Sequence, residues 1–449
     1  MISPAPRLLL LAALAGFPAA LLYAAAPALA PVAALPALAA VAIAALDATL
    51  CARRFGGLSV ALPEVMRLTV AREGKLALTL SNASSSPRRV EVALAWTPEL
   101  ACPVESATTS VASDSSALVE FPCTPRTRGR FVLDAVYLRV RSSLGLWQMR
   151  RAFPAQCEVR AYPNLMAERT NLAALFLNRG AAGAHAQRQV GKGKEFEKLR
   201  EYAPGDSYED IYWKATAKRA RPVTKEFQIE RTQEIYVIID ASRLSGRPVQ
   251  DDSAHLGNTS PVNQLERFVT ASLVLGLVAE KQGDLFGLTV FSDQVDAFVR
   301  AKAGQAHHRS LRDALYTLQP KRVNPDFSEV FTFLRTRLRR RALLFFLTNL
   351  DDPVLAESFT RDVQILSRQH LVMVNTLNLP GIAPVFSQPE VDSVDGVYQQ
   401  LAGHLHWHKL RECQRVLRQY NVTLSMLDSA AACPQLVTQY MNVKRRQAL

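Results

Sequence analysis

The sequence predicts an α/β protein with an open, mostly parallel sheet at its C-terminal end, preceded by an antiparallel β-sandwich and an apolar N-terminal hairpin. Three observations carry this. No charged residue occurs between Arg7 and Asp47. From about residue 57 to 165, short alternating segments are separated by turns. From about residue 233, apolar β-runs alternate with helix-length amphipathic segments, the pattern of a sheet covered on both faces. At 449 residues the chain exceeds one ordinary core. It divides into 1–54, 57–165, 166–232 and 233–449.

The N-terminal stretch is nearly two crossings long, since a helix needs about 20 apolar residues to cross a bilayer core. The expected spans are 8–26 and 32–50, with a turn at 26–31 where Pro27 and Pro31 break helix continuation. Arg7 flanks the entry, and Arg53 and Arg54 follow the exit. Cytoplasmic flanks carry the excess of Lys and Arg. The expectation is therefore an inner (cytoplasmic) membrane anchor, with the soluble domains in the cytoplasm and their thiols reduced. The alternative is a secretory signal cleaved after Ala28-Leu-Ala30, which would leave a metal-dependent ligand-binding domain outside the cytoplasm.

Strands are expected at 60–62, 75–81, 89–96, 117–121, 130–140 and 146–153, with turns at 82–87 and 142–145. This many short strands in about 100 residues suggests an immunoglobulin-like sandwich, a spacer and docking module. The six cysteines (51, 102, 123, 157, 413, 433) include no CxxC pair. That is neither a zinc site nor a disulfide framework, although Cys102 and Cys123 could lie close together in the β domain.

Residues 166–190 are expected to form a helix and then a loop. A glycine-broken loop follows, Gly191-Lys-Gly-Lys194, and exposed backbone N–H groups there could cradle an anion. The phosphate-loop pattern needs Ser or Thr after Gly-Lys, and here Glu195 follows. Nucleotide hydrolysis is excluded. Glu195, Arg200, Glu201, Asp206 and Lys218 crowd around Trp213. They read as buried, paired ions joining two domains, or else as a surface that recognises another protein. A buried indole would make Trp213→Ala cost several kcal/mol.

The C-terminal half is expected to run strand 235–240, helix 262–281, strands 285–291 and 295–301, helices 308–318 and 327–339, and strand 342–347. Helix 354–369, strand 371–377, helix 405–420, strand 422–427 and helix 434–446 complete it. In such sheets ligands sit beyond the carboxyl ends of the strands, where the strand order reverses. Asp240 ends one strand, and Asn349, Asp351 and Asp352 follow another. The oxygen-rich set Asp240, Ser242, Ser245, Asp326, Thr348, Asn349 and Asp351 suits magnesium, although Asp351 and Asp352 also fit as caps of the next helix.

The net charge of +13 favours anionic surroundings. The basic runs at Arg335–Arg341 and Lys444–Arg446 lack interleaved aromatics, so no nucleic acid is expected. His404, His406 and His408 would spread around a helix rather than converge on zinc. No nucleophile-elbow, HExxH or paired-carboxylate motif is present.

The stretch from 191 to 218 resembles the signature of the bacterial family catalogued as domain of unknown function fifty-eight. The matching residues are Gly191 and Gly193, Glu195-Phe196, Leu199-Arg200 with Tyr202, Pro204-Gly205-Asp206, Ile211 with Trp213, and Ala217-Lys218. Arg128-Gly-Arg130-Phe131 and Leu144-Gly-Leu146 resemble the family's β segment, and the apolar hairpin resembles its anchor. The resemblance implies a von Willebrand factor type A domain (Rossmann-like) from about Gln233. It also implies a non-enzymatic, membrane-tethered adaptor or scaffold for complex assembly or maturation, partnered by an AAA+ ATPase of MoxR type. Type A domains often hold a metal through Asp-x-Ser-x-Ser, a separate Thr and a later Asp. Here Asp240 and Ser242 match, the next serine is displaced to Ser245, Asn349 stands for the later Asp, and Asp326 is the nearest candidate for the Thr. This degenerate set is expected to bind Mg2+ weakly or not at all, and Asp240→Ala to be nearly silent for folding.

Overall fold

The computed structural model describes residues 2–25, 30–166, 168, 190–203, 207–228, 233–249, 262–378, 381–385, 387 and 393–446. The chain divides into two units, Met1–Asn164 and Leu165–Leu449.

The first unit opens with a short strand β1 (Ile2–Pro4) and two helices, α1 (Pro6–Ala25) and α2 (Ala30–Arg53). Nine strands follow: β2 (Leu58–Ala61), β3 (Val65–Thr69), β4 (Gly74–Asn82), β5 (Arg88–Leu94), β6 (Leu100–Ala101), β7 (Ser106–Val111), β8 (Ser115–Pro125), β9 (Gly129–Arg141) and β10 (Trp147–Tyr162). One sheet has the order β1-β10-β9-β5-β7, with β3 also paired to β10, and the other has β2-β4-β8-β6. The alternation read from the sequence fixes the inner faces. Leu76, Leu78 and Leu80 of β4 are fully buried, and they share one core with Val90 and Val92 of β5, Phe121 of β8 and Leu138 of β9. Each such side chain contributes about 1.5–3 kcal/mol by leaving water. The pairing of β1 with β10 was not expected, because three residues are too short to show a period.

The end of α2 is tied to the β9–β10 turn. The Asp47 carboxylate accepts from the Leu144 N–H at 3.2 Å, and the Trp147 indole N–H donates to the Ala44 carbonyl at 2.8 Å. Arg54 donates to the Arg141 carbonyl and to the Ser143 hydroxyl at 3.1 and 3.0 Å. Among the described residues no helix is long and apolar enough to cross a membrane, so the expected spanning role finds no support there. Residues 26–29 of the expected turn lie outside the described residues.

In the second unit, most of the helix and loop expected at 166–190 lies outside the described residues. The glycine-broken stretch expected as a loop is instead strand β11 (Val190–Glu201), paired antiparallel with β12 (Val223–Gln228). Register shifts between Val190 and Glu195 and between Phe196 and Lys198 accommodate the glycines as bulges. A short helix α3 (Trp213–Arg219) lies between these strands.

The main sheet comprises β13 (Glu234–Asp240), β14 (Leu285–Phe291), β15 (Val295–Lys302), β16 (Ala342–Leu347), β17 (Leu371–Leu377) and β18 (Thr423–Leu427), in the order β15-β14-β13-β16-β17-β18. Only the β14–β15 pairing is antiparallel among these. Helices α4 (Gln264–Lys281), α5 (Gln305–Leu315), α6 (Phe327–Arg337), α7 (Pro353–Ser367), α8 (Val394–Gln419) and α9 (Ala432–Arg446) accompany it. Separate cores cover its two faces. One joins Val237 and Ile239 to α4 and α9, and the other joins Ile238 and Phe346 to α6 and α7. Helix α8 begins eleven residues before the expected 405. Its first turns mix apolar and polar residues around Gly396, and the Ser393 hydroxyl caps them by accepting from the Gly396 N–H at 3.1 Å.

Candidate functional site at the sheet switch point

Strand β13 lies between β14 and β16, so the strand order reverses there, the point beyond whose carboxyl ends such sheets hold their ligands. The parallel register pairs Ile239 with Leu347. Asp240 and Thr348, one step further on each strand, therefore arrive level. Asp240 is 1 % exposed, and Ser242, Ser245 and Thr348 are fully buried.

Each carboxylate oxygen of Asp240 has a protein donor. The Ser242 N–H donates to Oδ1 at 2.8 Å, and the Thr348 hydroxyl donates to Oδ2 at 2.6 Å. Burial pushes the Asp240 carboxyl above its ordinary value, and the bonds from Thr348 and Ser242 offset part of that rise. The Ser242 hydroxyl accepts from the Leu244 N–H, and the Ser245 hydroxyl donates to the Ser242 carbonyl at 2.8 Å. Ser242 thus caps a short 3-10 turn, and Ser245 stabilises the same turn. Asn349 donates to the buried Gln264 and accepts from the Thr376 hydroxyl at 2.8 Å. Asp351 pairs with Arg247. Asp352 caps α7 through the Val354 N–H at 3.0 Å, as expected for a residue before a helix.

Asp326 does not join this group. Its carboxylate accepts from the Glu329 N–H at 3.1 Å, so it is the N-cap of α6. Thr348 is the threonine that meets Asp240. The signal for it was its place between the apolar run of β16 and Asn349. Gln264, Arg247 and Thr376 come from distant segments and carry no local signal.

This donor set does not fit a magnesium ion. Asp240 is engaged on both oxygens, and the Asp351 carboxylate already has a cation in Arg247. The remaining partnerless atoms include one donor, Gln264 Nε2, and one acceptor, Asp351 Oδ1, among the described residues. A hard cation needs several converging oxygens. Among the described residues no cluster of three or more His, Cys, Asp or Glu side chains could hold a metal. On α8, His404 stacks on Trp407 at 5.9 Å and His408 lies 3.7 Å from Glu412. All six cysteines, Cys102 and Cys123 included, are free.

The signature segment differs most from expectation. Trp213 is 68 % exposed and Tyr208 76 %, so the indole is not buried. An aromatic starting a seven-residue helix has only about two turns of neighbours to cover it. The charges nearby are also at the surface: Glu201 and Arg221 pair at 3.2 Å with both side chains mostly exposed, and Lys218 is exposed. Arg200 donates to the Glu201 carbonyl at 3.1 Å. Tyr202 stacks on Tyr208 at 5.9 Å, and its N–H donates to the Pro222 carbonyl at 2.9 Å. The Thr216 hydroxyl accepts from the Val223 N–H at 3.0 Å, and Lys225 lies 4.5 Å from the Tyr212 ring centre. Gly191, Gly193, Glu195 and Phe196 lie on β11, while Pro204, Gly205 and Asp206 fall outside the described residues.

Residues 198–381 match the family model described as protein of unknown function DUF58. An uncharacterized protein of Mycobacterium bovis and another of Mycobacterium tuberculosis are each 22 % identical over 228 residues, covering 49 % of this chain and 67 % of theirs. Among solved structures, the PilB minor pilin from Streptococcus sanguinis aligns over 90 % of this chain and 98 % of its own, with 8 % identity and a TM-score of 0.33. The SpRpn10 VWA domain aligns over 46 % of this chain and 95 % of its own, with 11 % identity and a TM-score of 0.27. At such scores the fold reading rests on the strand order described above.

Proposed function

Residues 198–381 belong to the DUF58 family of unknown function, and from that premise we propose a membrane-anchored adaptor that recognises a protein partner and performs no chemistry of its own. Its first unit is an immunoglobulin-like spacer, and its second a von Willebrand factor type A-like domain. The observation that carries this reading is the exposure of Tyr208 and Trp213 within the family signature. Tyr and Trp are enriched among the residues that dominate the binding energy of protein interfaces. The second unit also exposes Val394, Val397, Tyr398, Leu401 and Leu405 at helical spacing on α8. Closure of the switch point by internal hydrogen bonds supports a structural role for Asp240 over a catalytic one.

The anchored part of this reading is drawn from the hairpin's exposed apolar surface, although no described helix is long and apolar enough to cross a membrane. Leu9, Leu14, Phe17, Leu35, Leu38 and Val41 are all exposed on α1 and α2, an apolar surface that needs cover. In this reading the anchor lies in the inner membrane and both soluble units face the cytoplasm. The partner is an AAA+ ATPase of MoxR type, and the process is assembly or maturation of a protein complex. Affinity capture of the full chain from membranes under ATP-trapping conditions tests this. Repeated recovery of such an ATPase supports it, and repeated recovery without one contradicts it. Phosphatase activity from a C-terminal alkaline phosphatase fusion would place the units on the far side and contradict the topology.

A further inference from the structure

The first unit contains a groove between α1 and the β9–β10 turn. It has a volume of ≈ 510 Å³ and is lined by Leu10, Leu11 and Leu14 of α1, by Leu144 and Leu146 of the β9–β10 turn, and at one end by Arg7. That volume falls within the roughly 300–1,000 Å³ of small-molecule sites. Arg7 contributes its one charge.

The groove is built by local backbone features. The Ala5 N–H donates to the Leu146 carbonyl at 2.8 Å, and Pro4 pairs with Trp147, so the start of α1 is registered against the turn. Gly145 has φ +71, a conformation that favours glycine, and a Cβ there would lie 3.1 Å from Nη1 of Arg7. The absent side chain leaves room for the Arg7 guanidinium. The Leu144-Gly-Leu146 motif thus supplies two apolar walls and the space for one cation. Arg54 adds a second guanidinium on the same turn, where it bonds Ser143. Asp47 accepts from the Leu144 N–H.

We propose that this groove binds one acidic phospholipid, with its phosphate on Arg7 and an acyl chain along Leu10, Leu11 and Leu14. An acyl chain has no hydrogen-bonding groups and can lie against an apolar wall without penalty. An extended peptide pressed there would leave backbone N–H and C=O groups without partners. The guanidinium matches a phosphate in charge and in geometry. A choline headgroup would bring a third cation towards Arg7 and Arg54, whereas a glycerol headgroup brings none. The acidic lipid is therefore selected over the zwitterionic one. This proposal rests on the hairpin lying at a membrane.

The test uses the purified full chain in a neutral detergent, titrated with short-chain phosphatidylglycerol, short-chain phosphatidylcholine or glycerol phosphate while the melting temperature is followed. Phosphatidylglycerol should stabilise at a concentration at least about fivefold lower than phosphatidylcholine, the effect of one charge near an anionic headgroup. Glycerol phosphate should do nothing. Arg7→Gln should abolish the preference without changing the lipid-free melting temperature, and Leu144→Ser should weaken the response to both lipids. Equal response to the two lipids, a full response to glycerol phosphate, or a preference that survives in Arg7→Gln would overturn the site. Flotation with membranes is measured separately. A chain that discriminates lipids but does not float keeps the site and loses the anchored reading, and a chain that floats without discriminating loses the site alone.

Discussion

The Thr348 hydroxyl donates to Oδ2 of Asp240 at 2.6 Å, joining the ends of two parallel strands across 108 residues of sequence. Both groups are buried, so the bond is part of the core. This revises the expectation that Asp240→Ala would be silent. Removing the carboxylate leaves the Ser242 N–H and the Thr348 hydroxyl without partners, which costs about 1–3 kcal/mol for each buried orphan. Urea unfolding of Asp240→Ala should show a loss of about 2–6 kcal/mol from the two orphans together, and Thr348→Val a smaller one.

The same carboxyl makes stability depend on pH. Its pKa in the folded chain lies above the ordinary 3.8, because burial disfavours the anion. The folded state therefore holds a proton that the unfolded state has released. Its contribution is present below 3.8 and falls as pH rises through the window up to the raised value. Asp240→Asn keeps an acceptor for the Ser242 N–H and should flatten this part of a melting-temperature profile against pH.

His370 acts in the opposite direction. It is 4 % exposed, and its Nδ1 accepts from the Ala342 N–H at 3.2 Å. Burial and then the Arg341 charge hold its pKa below the ordinary 6.5. The folded state keeps the ring neutral where the unfolded state takes a proton. Stability is fully present above 6.5 and declines as pH falls through the depressed value. His370→Asn retains an acceptor and should reduce the acid sensitivity seen by circular dichroism.

The metal account predicts a null and a loss. Added magnesium, or its removal by a chelator, should leave the melting temperature unchanged, because Arg247 already neutralises Asp351. Arg247→Ala should cost about 1 kcal/mol. The figure stays below that of a fully buried pair because the guanidinium is 36 % exposed. A magnesium-dependent rise in the wild type, lost in Asp240→Ala, would contradict this.

Much of the second unit was legible because its strands are continuous apolar runs. Residues 235–239 and 342–347 are buried on both faces, as such runs must be in a parallel sheet. The edge carrying Asp240 and Asn349 followed from topology alone. The partners of those residues did not, since Gln264 and Thr376 reach Asn349 only once the sheet and α4 are assembled. Trp213 is open to both readings in the sequence, buried joint and recognition surface, for a related reason. One aromatic among charges has no period, so nothing local says whether it faces a core or water. The strand at Val190–Glu201 was hidden by its glycines, which break the alternation that the bulges restore in space.

The most direct test compares Trp213→Ala and Tyr208→Ala with the unaltered chain in two readouts, melting temperature and yield of captured partner. Surface positions of this kind change stability by no more than about 0.5 kcal/mol. The account predicts an almost unchanged melting temperature together with loss of the captured ATPase. A large fall in melting temperature, or capture that is undiminished, would contradict it.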